Sequence, residues 1–128
     1  MKLPYLLPML MIGLTSMASA ATTYYVDDST GNDANPGTQM SAPIKSLEKA
    51  NSIKLGPGDK LLFKAGSRYT GQLKPTGRGA KGTPILIGMY GHGDKPRFDG
   101  EGKVLDTVLI ENMEYVTIEN LEITNKGE

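Results

Sequence analysis

A chain of 128 residues with 14 basic and 14 acidic side chains has no net charge to draw it to nucleic acid or to an anionic membrane surface. It contains no cysteine, which excludes a disulfide framework, thiolate metal sites and a lipid-modified cysteine. Glycine is abundant, at 16, against two phenylalanines and no tryptophan, a composition suited to short strands joined by turns around one modest core.

The first element is a leader. Lys2 stands near the start, an apolar run covers residues 3–14, and Ala18-Ser19-Ala20 supplies a small-residue ending. This order predicts a secretory signal peptide over residues 1–20, cleaved after Ala20, and so a secreted or periplasmic protein. The run is too short to cross a bilayer and is interrupted by Pro4 and Pro8, so no transmembrane segment is expected after cleavage.

Residues 22–26 (TTYYV) are rich in β-formers and predict the first strand. Residues 27–38 follow as a dense cluster of Asp, Asn, Ser, Pro and Gly, the composition of a loop. Residues 43–53 predict the one helix: Ile44, Leu47, Ala50 and Ile53 recur at intervals of three and share a face. Ser41 or Ser46 would cap it, Pro43 suits its first turn, and Gly56-Pro57-Gly58-Asp59 ends it. A short amphipathic helix ahead of many strands is expected to act as a lid on the open end of a solenoid.

Strands are predicted at residues 60–64 (KLLFK), 68–74 (RYTGQLK, with Gly71 at a possible bulge), 85–90 (ILIGMY) and 97–99 (RFD). In residues 108–125 three apolar-alternating segments, Val108/Ile110, Val116/Ile118 and Leu121/Ile123, are each followed by an asparagine: Asn112, Asn120 and Asn125. Asparagine tolerates the left-handed backbone of a sharp bend, and stacked asparagines can bond to one another. The lack of any predicted helix after Ile53 excludes a doubly wound α/β fold, leaving a sandwich, a barrel or a parallel β-helix. The short asparagine-ended segments favour the β-helix, an all-β fold.

Several residues invite a functional reading. Gly77-Arg78-Gly79-Ala80-Lys81-Gly82 matches G-x-G-x-x-G, but Thr83-Pro84 and a strand follow where a phosphate-binding helix should begin, so a surface loop is expected. Asp27, Asp28, Asn32 and Asp33 cluster as calcium ligands do, yet their spacing lacks the alternation and closing glutamate of a calcium loop, and turn-forming roles are expected. His92, the single histidine, sits in Gly-His-Gly-Asp with no evident partner for base catalysis. Glu111, Glu114, Glu119 and Glu122 could pair as the carboxylates of a glycosidase, but alternation with Ile118, Leu121 and Ile123 marks Glu119 and Glu122 as the solvated side of strands. Lys60, Lys64, Arg68 and Lys74 lie on early strands and match no catalytic motif. No residue is assigned a catalytic, cofactor-binding or metal role on these grounds.

Five stretches taken together carry a resemblance: Tyr24-Tyr25-Val26 with GND-x-NPGT at residues 31–38, P-x-K-S-L-x-K-A-N at 43–51, PGDKLLFKAG at 57–66, GTPILIGMYGHGDKPRFDG at 82–100 and NLEITN at 120–125. In this order they resemble the N-terminal part of secreted right-handed parallel β-helix proteins, in the pectate-lyase-like group of polysaccharide lyases and β-helix glycoside hydrolases. The resemblance covers nearly all of residues 21–128 and implies an N-terminal cap followed by the first coils of a longer β-helix, with an extracellular polysaccharide or oligosaccharide as partner. Members are usually several times longer, so it also implies a catalytic centre, and any Ca2+, on coils beyond Glu128. Cleavage by elimination, cleavage by hydrolysis, and a non-catalytic glycan-binding or cell-surface role all remain open.

Overall fold

The structure, a computed structural model, describes residues 20–127. The predicted leader therefore lies outside the described residues except for Ala20. The strands are β1 (Thr23–Val26), β2 (Lys54–Leu55), β3 (Lys60–Lys64), β4 (Arg68–Thr70), β5 (Thr76–Gly77), β6 (Ile85–Tyr90), β7 (Arg97–Asp99), β8 (Val116–Ile118) and β9 (Glu122–Thr124); the helix α1 (Leu47–Asn51) falls between β1 and β2. The described chain is thus all-β apart from one helical turn.

Every strand pairing is parallel. Three sheets result, with strand orders β1-β3-β6-β8, β4-β7-β9 and β2-β5. Parallel neighbours need a long connection, commonly a helix. Here that connection runs through strands of the other sheets: β3 leads to β4 and β5 before β6 returns beside β3.

Alternation sets which residues face inward. Tyr24, Leu61, Ile87 and Ile118 are partners across the first sheet, and Tyr69, Phe98 and Ile123 across the β4-β7-β9 sheet. Phe63 stands edge-on to Phe98 at 4.8 Å between centroids and to Tyr69 at 5.2 Å, while Tyr69 and Phe98 stack at 5.1 Å. Each such side chain taken from water contributes roughly 1.5–3 kcal/mol, and the aromatic geometry adds to it. The Tyr69 hydroxyl is an exception within this cluster, being buried without a hydrogen-bond partner among the described residues.

Period-2 alternation predicts β3, β6 and β7 with their observed bounds. The strand expected over residues 68–74 stops at Thr70, because Gly71 takes φ +118°, a backbone that ends the extended run. Leu73 resumes contact as a single bridge to Val108, which is all that forms of the first predicted segment in residues 108–125. The two-residue strands β2 and β5 are unanticipated. At β5, Gly77 is required, since a Cβ there would run into the Leu55 carbonyl.

The helix expected over residues 43–53 contracts to Leu47–Asn51. Ile44 is extended: its N–H donates to the Tyr25 carbonyl at 3.0 Å, its carbonyl accepts from Asp27 N–H at 2.9 Å, and it bridges Val26 in parallel. The Asp33 carboxylate then accepts the N–H groups of Lys45 and Ser46, at 2.9 and 2.8 Å, and holds them out of helix. Helix begins only after Ser46, whose hydroxyl accepts from Lys49 N–H at 3.0 Å as an N-cap. One turn is too little for the predicted lid, although Ile44, Leu47 and Ala50 all join the core.

Asn112 and Asn120 adopt φ of 56° and 58°, the left-handed bend expected of them. Asn125 behaves differently. Its side chain accepts from Gly102 N–H and donates to the Val104 carbonyl, each at 2.8 Å, so it ties down a loop and does not bond to another asparagine.

Candidate functional site

The outer face of the β4-β7-β9 sheet carries a cluster of charged side chains. Alternation puts Arg68, Arg97 and Glu122 in one outward row and Thr70, Asp99 and Thr124 in the next. Two turns wall the first row on one side. Gly66 N–H donates to the Asp94 carbonyl at 2.7 Å, and Arg97 N–H donates to the Ser67 carbonyl at 2.9 Å, which locks the turn before β4 onto the turn before β7. The result is a groove of about 300 Å³ lined by Ser67, Arg68, Asp94, Lys95, Arg97 and Glu122. A smaller hollow of about 190 Å³ lies across Arg97, beside Thr70, Asp99 and Glu101.

Arg97 sits at the centre. Its guanidinium is 3.8 Å from the carboxylates of both Asp99 and Glu122. These are ion pairs too long to be hydrogen bonds. Asp99 is fixed by its own contacts: it accepts Glu101 N–H at 2.7 Å and Lys126 N–H at 3.2 Å. Those two bonds, with the nearby Arg97 and Lys126 charges, hold its carboxyl below the ordinary value of 3.8.

The acidic cluster in residues 27–33 is structural. The buried Asp27 carboxylate accepts from the Ser29 N–H and hydroxyl at 2.9 Å each and from the Thr30 hydroxyl at 2.7 Å. Burial pushes this carboxyl up, but these bonds together outweigh burial and leave it below 3.8. Asp33 caps the approach to α1, and Asn32 accepts from Ala34 N–H at 2.9 Å. Asp28 accepts the Arg68 backbone N–H at 3.2 Å. Asp27 and Asn32 thus close local turns while Asp28 and Asp33 hold distant backbone amides, and among the described residues no group of three or more His, Cys, Asp or Glu could hold a metal ion.

The remaining candidates scatter. His92 lies in an exposed turn. Glu114 pairs with Arg78 at 3.3 Å across an exposed surface, and Glu111 and Glu119 are exposed. Lys64 lies 5.4 Å from the Tyr90 ring, while Lys60 and Lys74 face solvent. Residues 77–82 are tied down more than a loop would be, by β5 and by an antiparallel bridge from Ala80 to Thr83, and no helix follows them. Arg68 and Glu122 line one groove, with Arg97 between them. Their neighbours Asp94, Lys95 and Arg97 have no sequence signal of a site; what gathers them is the register that sets Arg97 between Arg68 and Glu122.

No family model matches the chain. It is 37% identical over 135 aligned residues to a lacto-N-biosidase of Bifidobacterium longum subsp. longum, an alignment covering 84% of this chain and 8% of that protein. It is 36% identical over 64 residues to an alpha-1,3-galactosidase A of Akkermansia muciniphila, covering 50% of this chain and 11% of the other. The crystal structure of the GH136 lacto-N-biosidase from Eubacterium ramulus matches with a TM-score of 0.77 at 36% identity, over 84% of this chain and 21% of that one; its native form gives 0.72 at 34% identity. The chain thus spans about a tenth of the curated relatives and about a fifth of the solved ones. Over that share it is similar in sequence and in fold to part of a glycoside hydrolase.

Proposed function

We propose that this chain forms the first coils of a right-handed parallel β-helix in an exported glycoside hydrolase that acts on oligosaccharides. One observation carries the reading: 84% of the chain follows the Eubacterium ramulus GH136 lacto-N-biosidase at 36% identity, with a TM-score of 0.77. The rotation of the chain through three all-parallel sheets supports the β-helix, with Ile44, Leu47 and Ala50 packing at its N-terminal end. Residues 1–20 would direct export and residues 21–128 would be the opening part of a single domain.

The relatives' names favour hydrolysis over elimination, and with it a glycosidase over a pectate-lyase-like enzyme. Two carboxylates would carry such hydrolysis, one as acid and one as base or nucleophile. The chain spans about a fifth of the solved relative, and we place the catalytic centre on other coils of the complete protein. The role of this segment is then to template the stack: each new strand pairs with one already formed.

The test is to incubate the complete protein with neutral oligosaccharides ending in a lacto-N-biosyl unit or an α-1,3-linked galactose, and to separate the products. Release of a disaccharide or of galactose is expected. Binding without any product on this panel would replace the hydrolase with a glycan-binding β-helix, and unsaturated products would return the elimination chemistry.

A further inference from the structure

Arg68 and Arg97 occupy directly opposed positions on adjacent strands, and both point outward. Like charges so placed destabilise a sheet. Neither guanidinium donates a hydrogen bond to any described residue, and Arg68 has no carboxylate within ion-pair distance among them. Arg97 is partly buried and lines the groove. Each guanidinium offers a planar fork of donors that matches an oxyanion with two oxygens.

Arg68, Lys95 and Arg97 line the groove with the carboxylates of Asp94 and Glu122, and Asp99 stands 3.8 Å from Arg97 on its other side, so the site's attraction for an anion lies in its unused donors and not in net charge. Glu122 already leans on Arg97 at 3.8 Å, and the nearby Asp28 is turned to the Arg68 backbone amide. The hydroxyl of Ser67 is engaged with the Lys64 carbonyl, so the two arginines and Lys95 are the donors left for a ligand. At about 300 Å³ the groove reaches the lower end of the sizes that hold small ligands.

We propose that this groove binds the oxyanion of an acidic sugar unit, a carboxylate or a sulfate ester, between the forks of Arg68 and Arg97 with Lys95 as the third cation. The inference rests on the glycan reading above for the carrier of the charge, though not for the charge itself. Such a subsite would hold an anionic substituent of a branched or decorated glycan away from the catalytic coils.

The test is calorimetric titration of the complete protein with D-galacturonate dimer, galactose 6-sulfate, sodium sulfate and neutral galactose. The charged sugars are expected to bind more tightly than galactose and to weaken as salt rises. Arg68→Gln is expected to weaken that binding about tenfold or more, the loss of charge-assisted hydrogen bonds. Arg97→Lys, which keeps the charge but loses the fork, is expected to weaken it as well, whereas the distant Lys54→Gln is not. Preference for the dimer over the sulfate ester would name a carboxylate as the anion, and the reverse a sulfate. Equal binding of galactose and the charged sugars, or binding indifferent to Arg68→Gln, overturns the proposal. Arginine-dependent binding of sodium sulfate with none of the charged sugars would keep the oxyanion site and overturn the sugar as its carrier; the neutral-substrate assay would be untouched by either result.

Discussion

Tyr69, Phe98 and Ile123 hold equivalent inward positions on three successive strands, and they are 6%, 0% and 48% exposed. The first sheet repeats the pattern: Leu61 and Ile87 are fully buried, while their partner Ile118 is only partly so. The side chains along each row are all large and mainly apolar. What changes is whether another layer lies over them. In a stacked fold, an apolar residue becomes core only when the next strand arrives, so the two ends of one chain differ in stability although their sequences look alike. At the β1 end Val26, Ile44 and Ala50 are sealed, and at the β8–β9 end Ile110, Tyr115 and Ile123 are open.

Substitutions that strike the sealed layers should cost most. Phe98→Ala removes the centre of the aromatic cluster and is expected to destabilise the complete protein by about 3–5 kcal/mol in denaturant titration. Asp27→Ala removes the buried carboxylate that accepts from Ser29 and Thr30 and is expected to cost about 1–2 kcal/mol.

The same aspartate gives a pH dependence. Asp27 and Asp33 have carboxyls held below 3.8 in the folded chain, burial raising each and the hydrogen bonds from Ser29 and Thr30, or from Ser46 and Lys45, more than reversing it. A depressed carboxyl contributes stability that is complete above its unfolded value and is lost as pH falls through its folded value. Melting curves should therefore be level above about pH 5 and drop progressively below about pH 4. Asp27→Asn should flatten that drop.

Smaller effects probe the bends and the open end. Asn120→Val places a β-branched residue at φ 58° and is expected to cost about 1–2 kcal/mol, whereas Asn120→Gly should be nearly neutral. Tyr69→Phe removes a buried hydroxyl that has no partner among the described residues, and should raise stability by up to about 1 kcal/mol. Ile123→Ala, measured in the isolated chain where half of the side chain is in water, should cost under about 1 kcal/mol. In the complete protein the cost should rise toward that of a core residue if a further coil covers it.

Which parts of this were legible in the sequence follows from the range of the interactions. Strands β3, β6 and β7 could be read because alternation of Leu61 and Phe63, or of Ile85 and Ile87, is local. The bends at Asn112 and Asn120 were legible because a left-handed backbone restricts residue type. The helix was overestimated because its apolar spacing says nothing of Asp33, twelve and thirteen residues back, which takes the N–H groups of Lys45 and Ser46. Strands β2 and β5 are two residues long and carry no period. The groove was invisible for the same reason as the helix error. Arg68 and Arg97 are ordinary exposed cations until parallel register sets one above the other.

Under the proposed function a further coil covers the β8–β9 end, where Ile110, Tyr115 and Ile123 are exposed. Amide hydrogen exchange tests it most directly, on the isolated chain and on the complete protein side by side. The account predicts slow exchange in β3 and β6 in both samples, and fast exchange in β8 and β9 of the isolated chain that becomes slow in the complete protein. Protection of β8 and β9 in the isolated chain equal to that of β3 and β6 would contradict it.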